Sequence, residues 1–386
     1  MEEINISSVA SLLNLRVLKK TQREVLCICP ICGDERGKFS YNESKNKFNC
    51  FHCDERGGAV TLYMRVMGIS SPNKAASELY KALEGETAIT HKEHYSTSEK
   101  EETPRKSEEY LIKVYEAYLK KLFLRKEHKA DLLKRGLTEK QIKEFGYKSV
   151  PKKPYFICKE LIEEGYDLEG VPGFIKQKNG SYTAYDTPGY YCPVFNKDGR
   201  VIGFQVRVDE PKNGAKYLWF SSPDCSCGGL ITFLKGTSNV TIITEGINKA
   251  TITYALLNGK ITLIGVPGIK VLGNLKSVLK DHSNYVFEAY DMDKAIRTTD
   301  EKELLKSKRI ENAAKDLRDM VDKFNIPVSP LSWDFDKEAY WKGNYKGIDD
   351  FLLAYGKENI EEKFIPYLTE KARKKLNLIN YFKKES

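Results

Sequence analysis

The chain has 386 residues, of which 41% are hydrophobic and 30% charged, and its formal net charge is +9. This length predicts two or three domains rather than one core. No run of eighteen apolar residues occurs, and the N-terminus lacks a basic region followed by an apolar block, so we expect a soluble, cytoplasmic protein with no membrane span and no secretory signal. The modest positive charge is compatible with a polyanionic partner such as nucleic acid.

The first predicted domain, residues 1–84, contains four cysteines in a C-x2-C-x17-C-x2-C pattern: Cys29, Cys32, Cys50 and Cys53. Two such pairs can supply four thiolates to one tetrahedral ion, so the pattern predicts a zinc ribbon that holds structural Zn2+. Cys27 and His52 lie beside the quartet, and His52 could replace a neighbouring cysteine as a ligand.

The segment between these cysteines mixes cations with aromatic rings. The residues are Arg36, Lys38, Lys45, Lys47, Phe39, Tyr41, Phe48 and Phe51. Such a mixture suits a single nucleic-acid strand, whose bases stack on rings while its phosphates are neutralised. Some of the rings must instead form the ribbon's core. The ribbon is therefore either purely structural or also a surface for single-stranded DNA.

Three further regions follow the ribbon. Residues 85–107 have almost no apolar content and predict a flexible linker. Residues 108–236 predict an α+β domain, because they contain an amphipathic helix, a helix capped by Thr138, and strands joined by a hairpin at Asp198-Gly199.

Residues 237–355 alternate apolar strands with helices, in the order expected for an open parallel sheet. Residues 356–386 predict a basic helical tail. The fold class is therefore a multidomain α/β protein, with a zinc ribbon first, a Rossmann-like parallel sheet towards the end, and helices at the C-terminus.

Carboxylates cluster at the predicted ends of the strands in this sheet. Glu245 ends one strand, Asp291 and Asp293 end a later one, and Asp349-Asp350 begins a short helix. The carboxyl ends of parallel strands meet along one edge, where ligands bind. We expect hard oxygen ligands with few positive partners there, which suits Mg2+ or Mn2+.

This ordered set of motifs resembles the toprim pattern. The upstream segments "RGLTEKQIKEFGY", "YYCPVFNKDGRVIGFQVRV" and "KYLWFSSP" are similar to the N-terminal polymerase subdomain of bacterial DnaG-type primases, and the ribbon resembles their zinc-binding domain. The resemblance covers most of residues 25–355. Lys249 stands where many toprim proteins have Asp, and the ribbon has four cysteines rather than three and a histidine. These departures look closer to mobile-element and phage-like members.

The resemblance implies a DNA-dependent RNA primase, a nucleotidyltransferase that makes short primers. Glu245, Asp291 and Asp293 would form its metal-centred acidic set, with Glu245 as either a ligand or a general base, and Asp349 or Asp350 would support them. The basic residues that would meet nucleotide phosphates or the nascent strand are Arg207, Lys216 and Lys249. "LWFSSP" departs from the usual asparagine-bearing motif.

The implied partners are a single-stranded DNA template and ribonucleoside triphosphates. Because no GxxxxGK[ST] phosphate loop occurs, we expect the replicative helicase to be a separate protein. Two alternatives stay open, namely a toprim-type metal-dependent nuclease and a non-catalytic DNA-binding or loading factor of a mobile element. Cys225 and Cys227 predict ordinary reduced thiols rather than a second metal site.

Overall fold

The computed structural model describes residues 4–13, 15–21, 24–67, 69, 71–84, 103–211, 216–227, 229–268, 275–279 and 285–384. The chain divides into two compact units, Met1–Lys100 and Glu101–Ser386. Most of the predicted linker, residues 85–102, lies outside the described residues, and the finer domain boundaries stay predictions. In the described part of the chain, no helix is both long and apolar enough to cross a membrane.

The first unit is a five-stranded antiparallel sheet whose strands follow chain order. The strands are β1 (Val17–Lys20), β2 (Val25–Cys27), β3 (Phe39–Asn42), β4 (Lys47–Cys50) and β5 (Arg56–Gly58). The helices are α1 (Ile6–Leu12), α2 (Ala59–Met67) and α3 (Pro72–Glu84). Phe39 and Tyr41 on β3 and Phe48 on β4 are buried in its core. Three of the four aromatic residues considered above are thus core residues.

The first half of the second unit is an α+β layer. Its helices are α4 (Glu108–Lys120), α5 (Lys126–Lys134), α6 (Glu139–Glu144) and α7 (Pro154–Glu163). Its strands are β6 (Lys148–Ser149), β7 (Phe174–Lys176), β8 (Tyr182–Ala184), β9 (Gly189–Phe195), β10 (Val201–Val208) and β11 (Tyr217–Trp219). Four of these strands form an antiparallel sheet in the order β11-β10-β9-β6.

Two local predictions in this layer are confirmed. Thr138 caps α6 in a reciprocal capping box with Gln141, which satisfies donors that the first helical turn leaves unpaired. The hairpin between β9 and β10 turns at Gly199, whose φ of +74° suits glycine.

The last five residues of the predicted linker are held by the second unit. The Lys106 backbone N–H donates to the Gly170 carbonyl at 3.0 Å, and Lys106 Nζ lies 2.6 Å from Asp167 Oδ2. Ser107 then caps α4. Residues 103–107 therefore belong structurally to the core that follows them.

The second half of the unit contains the predicted parallel sheet, which is confirmed. Its strands are β12 (Thr232–Leu234), β13 (Val240–Glu245), β14 (Thr262–Val266), β15 (Tyr285–Glu288) and β16 (Val328–Pro330). Their order is β12-β14-β13-β15-β16, and only β12 pairs antiparallel. The helices are α8 (Ile247–Leu256), α9 (Leu275–Leu279), α10 (Glu301–Asp322) and α11 (Ile348–Tyr355). The carboxyl ends of β13 and β15 are neighbours.

The C-terminal segment is helical, as predicted, and packs against the core. It comprises α12 (Lys357–Asn359), a π-helical turn (Ile360–Phe364) and α13 (Ile365–Lys384). Four of its buried side chains recur every four residues, namely Ile360, Phe364, Leu368 and Ala372, and Ile365 is buried beside them. This spacing places them along one helical face, which covers part of the largest hydrophobic cluster.

Candidate active site and metal centre

The acidic edge begins where β13 ends and α8 starts. Glu245 is the last residue of β13, and Gly246 follows it with a φ of +95°, a conformation that favours glycine. The Gly246 backbone N–H donates to the Val266 carbonyl at 2.7 Å. A Cβ at Gly265 would lie 2.9 Å from the Gly246 carbonyl oxygen. Close backbone packing therefore fixes the first turn of α8 against the sheet.

Asp291 and Asp293 lie in a 3-10 turn that follows β15 and is tied to both neighbours. The Ala289 N–H donates to the Ile243 carbonyl at 2.8 Å, and the Met292 N–H donates to the Lys346 carbonyl at 2.9 Å. The first bond joins the turn to β13, while the second joins it to the loop that leads into α11. Carboxylates from three separate chain segments thus share one edge.

Three lysines neutralise the aspartate pair, so the expectation of few positive partners at this edge was wrong. Lys249 Nζ forms an ion pair with Asp291 Oδ1. Lys306 Nζ and Lys346 Nζ lie 2.9 Å and 2.8 Å from Asp293 Oδ2. Like charges this close need compensation, and the chain supplies it from two helices and a loop.

The pKa shifts show that Glu245 shares an electrostatic environment with the aspartates. Burial raises the Glu245 pKa, and nearby Asp291 raises it further, against the opposing effect of Lys249. Burial also raises the Asp349 pKa to about 6, although Lys249 opposes the shift. Burial alone would raise the Asp293 pKa, but Lys346 and Lys306 hold it below its ordinary value.

A buried ionic group supports the aspartate turn from beneath. Glu288 at the end of β15 is fully buried, and its Oε1 accepts from the Tyr290 N–H and from Lys294 Nζ, both at 2.7 Å. Its Oε2 accepts from Arg318 Nη1 on α10 at 2.5 Å. Ser307 Oγ donates to the Lys294 carbonyl at 2.7 Å. Both ends of the turn are therefore anchored to β15 and α10.

The donor set at this edge fits a hard divalent cation. Asp293 Oδ1 and Asp349 Oδ1 are buried and have no hydrogen-bond partner among the described residues, and such atoms are costly unless a cation or water binds them. No three carboxylates in the described part of the chain bring one oxygen each within 4.8 Å of one another. Binding of one ion by three carboxylates therefore requires their side chains to move closer together.

Of the three predicted basic residues, Lys249 lies on α8, Arg207 lies on β10 of the antiparallel sheet, and Lys216 directly precedes β11. Arg207 Nε lies 3.4 Å from Asp131 Oδ2, and Arg207 Nη1 donates to the Tyr217 hydroxyl at 3.3 Å. Asn248 Nδ2 on α8 donates to the same hydroxyl at 3.3 Å. This contact joins the β10–β11 surface to the first turn of α8. Lys216 is exposed immediately before β11, and no described contact brings it to the acidic edge.

The four predicted zinc ligands converge in the first unit. Cys29 Sγ lies 3.8 Å from Cys53 Sγ, and Cys32 Sγ lies 3.9 Å from Cys50 Sγ. Thiolates about 2.3 Å from a tetrahedral zinc ion are separated by about 3.8 Å. All four sulfur atoms lie within 4.8 Å of one another, so the predicted zinc-binding cluster of four cysteines is confirmed. His52 Nδ1 is 3.4 Å from Cys32 Sγ and lies outside the quartet.

One aromatic residue of the ribbon is available to a ligand. The Phe51 side chain is 72% exposed, and the Phe51 N–H donates to the Lys38 carbonyl at 2.8 Å. Lys38, Lys45 and Lys47 are exposed, whereas Arg36 is paired with the buried Asp34 at 2.5 Å. The ribbon thus has one exposed ring and three exposed ammonium groups in or beside the hairpin of β3 and β4.

Several residues of the acidic edge escaped the sequence analysis. Lys346 stands directly before the Gly-x-Asp-Asp segment, and that position is the only sequence signal that could have pointed to it. Lys306 lies in a helix with many exposed charges, where nothing marks it out. Glu288 lies within an apolar strand, and a charge in a buried strand is a signal that it has a partner.

Comparison with known proteins shows that the chain is similar to DNA primases. Residues 1–95 match a family described as the CHC2 zinc finger. The DNA primase of Clostridium acetobutylicum is 27% identical over 297 residues, which cover 72% of this chain and 47% of that protein. The DNA primase of Halalkalibacterium halodurans is 27% identical over 209 residues, covering 50% and 34%. The chain spans about half the length, or less, of these curated relatives.

The fold has a counterpart among solved structures. The zinc-binding and RNA polymerase domains of the Aquifex aeolicus primase superpose with a TM-score of 0.51 at 19% identity, covering 93% of this chain and 82% of that one. This likeness shows a shared fold. Together with the matched zinc finger, it confirms the predicted fold class, in which a zinc ribbon is followed by an α+β layer, a mostly parallel sheet and a C-terminal helix.

Proposed function

We propose that this chain is a primase that synthesises short RNA primers on single-stranded DNA. The observation that carries the proposal is the meeting of Glu245, Asp291 and Asp293 at one edge of a parallel sheet, in a chain similar to DNA primases. The substrates are ribonucleoside triphosphates, and the reaction joins the 3′-hydroxyl of one nucleotide to the α-phosphate of the next, with release of pyrophosphate.

The carboxylates of the acidic edge would have different roles in this reaction. Asp291 and Asp293, supported by Asp349, would hold Mg2+ or Mn2+. The bound ion would neutralise the triphosphate and stabilise charge on the attacking and leaving oxygens. The raised pKa of Glu245 makes it a better proton acceptor than an ordinary glutamate, so it can take the proton of the attacking 3′-hydroxyl.

Basic side chains around this edge would bind the nucleotide. The side chains of Lys306 and Lys346 are 61% and 44% exposed, so their ammonium groups can move from Asp293 to phosphate oxygens. Arg207 and Lys216 would contact the incoming nucleotide or the nascent strand, because the β10–β11 surface that carries them adjoins α8. Such charge-assisted bonds to phosphate are among the stronger hydrogen bonds in proteins.

The zinc ribbon would bind the template. Phe51 offers a ring on which one base can stack, and Lys38, Lys45 and Lys47 can neutralise the backbone. Lys249 and the four-cysteine zinc site support a place near the mobile-element and phage-like primases. The motor that unwinds the duplex would be a separate helicase.

The test is synthesis of oligoribonucleotides from labelled triphosphates on random single-stranded DNA, with and without Mg2+. We expect wild-type chain to make primers only with the divalent ion. Asp291→Asn and Asp293→Asn should abolish synthesis while leaving DNA binding intact. Glu163→Gln, which changes an exposed carboxylate on α7, is the matched control and should retain synthesis.

The same assay separates the alternatives. Strand scission without incorporation would identify a toprim-type nuclease, since the same edge could direct water at a phosphodiester. DNA binding with neither incorporation nor scission would identify a non-catalytic factor. Incorporation that persists in both aspartate variants would remove the acidic edge from the mechanism.

A further inference from the structure

Lys249 differs from the other two lysines of the acidic edge because most of its side chain is covered there. Its side chain is 18% exposed, against 61% for Lys306 and 44% for Lys346. It projects from the first turn of α8, four residues after Glu245. A long cation is seldom buried unless carboxylates surround it.

Two carboxylates lie against this side chain, and a third is close in sequence. Asp291 pairs with the ammonium group directly, and Asp349 Oδ1 lies against the same point of Gly347 as Lys249 Cε and Nζ. Glu245 stands four residues before Lys249, at the end of β13, and its charge also acts on the ammonium group. Asp349 is itself buried, and its Oδ1 has no hydrogen-bond partner in the described part of the chain. The ammonium group therefore lies among oxygen atoms of the kind that ligate a divalent ion.

The aliphatic part of the Lys249 side chain is also held in place by close packing. A Cβ at Gly347 would overlap Asp349 Oδ1 and would lie 3.0 Å from Lys249 Cε and 3.3 Å from Lys249 Nζ. The φ of Gly347 is −94°, which any residue can adopt. Glycine is thus needed at this position for space rather than for backbone geometry, because the Asp349 carboxylate and the Lys249 side chain both lie against it.

We propose that Lys249 is a built-in cation that takes the place of one divalent ion between Glu245, Asp291 and Asp349. A single divalent ion is then bound at this edge, on the side of Asp293. Lys306 and Lys346 are exposed and can withdraw from Asp293 to admit it, whereas Lys249 is packed in place. This inference deepens the proposed function and rests on it, but it concerns how many ions bind rather than what they catalyse.

The test counts ions on the zinc-loaded full chain by titration with Mn2+, following free Mn2+ by electron paramagnetic resonance. We expect wild type to bind one ion. Asp291→Asn should weaken the affinity for Mn2+ by at least about tenfold, since a ligand charge is lost. Lys249→Met keeps the stem, removes the charge, and should bind two ions. Lys308→Met, a control at an exposed lysine of α10, should bind one.

Three results would overturn the proposal: wild type binding two ions, wild type binding none, or a folded Lys249→Met variant with an unchanged count. If Lys249→Met does not fold, the proposal is decided by the number of Mn2+ ions bound by wild type and by Lys249→Gln. Primer synthesis is measured on the same samples. One bound ion in wild type and two in Lys249→Met, without primer synthesis, would refute the proposed function alone. Primer synthesis by wild type, with the same ion count in wild type and Lys249→Met, would refute the role of Lys249 alone.

Discussion

The ion pairs of the buried Glu288 with Lys294 and Arg318 lead to a quantitative prediction. Lys294→Met removes one of the cations that neutralise the fully buried Glu288 but keeps most of the side chain's volume. Removing one partner of a buried ion pair costs about 3–5 kcal/mol. Because Glu288 keeps its bonds from Arg318 and the Tyr290 N–H, we expect a loss at the low end, about 3 kcal/mol.

The free energy of unfolding of the second unit can be measured by itself. All three tryptophans, Trp219, Trp333 and Trp341, lie in that unit. The Trp341 backbone N–H donates to the Ala295 carbonyl at 2.9 Å, directly beside the turn. Urea unfolding followed by tryptophan fluorescence therefore reports the unit without the ribbon.

Two companion variants separate charge from packing. Lys308→Met changes an exposed lysine of α10 and should cost less than about 0.5 kcal/mol. The double variant Lys294→Met/Glu288→Met removes the buried charge together with its partner and should be more stable than Lys294→Met alone. A loss below about 1 kcal/mol in Lys294→Met would refute the argument that this ion pair supports the turn.

Three further predictions concern the ribbon and the basic surface. Phe51→Ala should weaken single-stranded DNA binding by about 1–3 kcal/mol in fluorescence anisotropy, whereas Phe123→Ala, equally exposed in the second unit, should not. Cys50→Ser should unfold the ribbon, since zinc binding and folding are coupled, and circular dichroism with a zinc assay would show an unchanged fold if this is wrong. Burial would raise the Asp131 pKa, but hydrogen bonds from Arg135 and Tyr190 hold it below its ordinary value of 3.8. The ionised Asp131 carboxylate therefore stabilises the fold above pH 3.8, and this stabilisation is lost as the pH falls through the lower pKa of the folded state. Asp131→Asn should therefore destabilise the protein at pH 7 and progressively less below pH 4 in urea unfolding, and an equal loss at both pH values would contradict this sign.

The strand-and-helix pattern and the zinc cluster were predictable because each depends on local signals. The parallel sheet shows as apolar strands of three to six residues alternating with helices, and the zinc site shows as cysteine spacing. The placement of Asp349 facing inward and Asp350 facing solvent could not be predicted, because either residue could have faced the site from the first turn of α11.

The charges around the aspartates were not predictable for a different reason. Lys306 and Lys346 reach Asp293 from segments 13 and 53 residues away in sequence, and only the folded chain brings them there. The hydrophobic periodicity of the sequence indicates which residues are buried, but it does not indicate which charged residues, distant in sequence, form ion pairs. The same limit applies to Glu288 and Arg318, whose ion pair spans 30 residues.

The backbone bonds that join the aspartate turn to β13 and to the loop before α11 separate fixed from adjustable parts of the site. The Met292–Lys346 and Ala289–Ile243 bonds leave the carboxylate-bearing backbone little freedom to shift. Adaptation to different nucleotides would then fall to the tips of the long side chains at the entrance. Substitutions at position 306 should alter substrate preference gradually, whereas insertions between residues 289 and 293 should abolish activity outright.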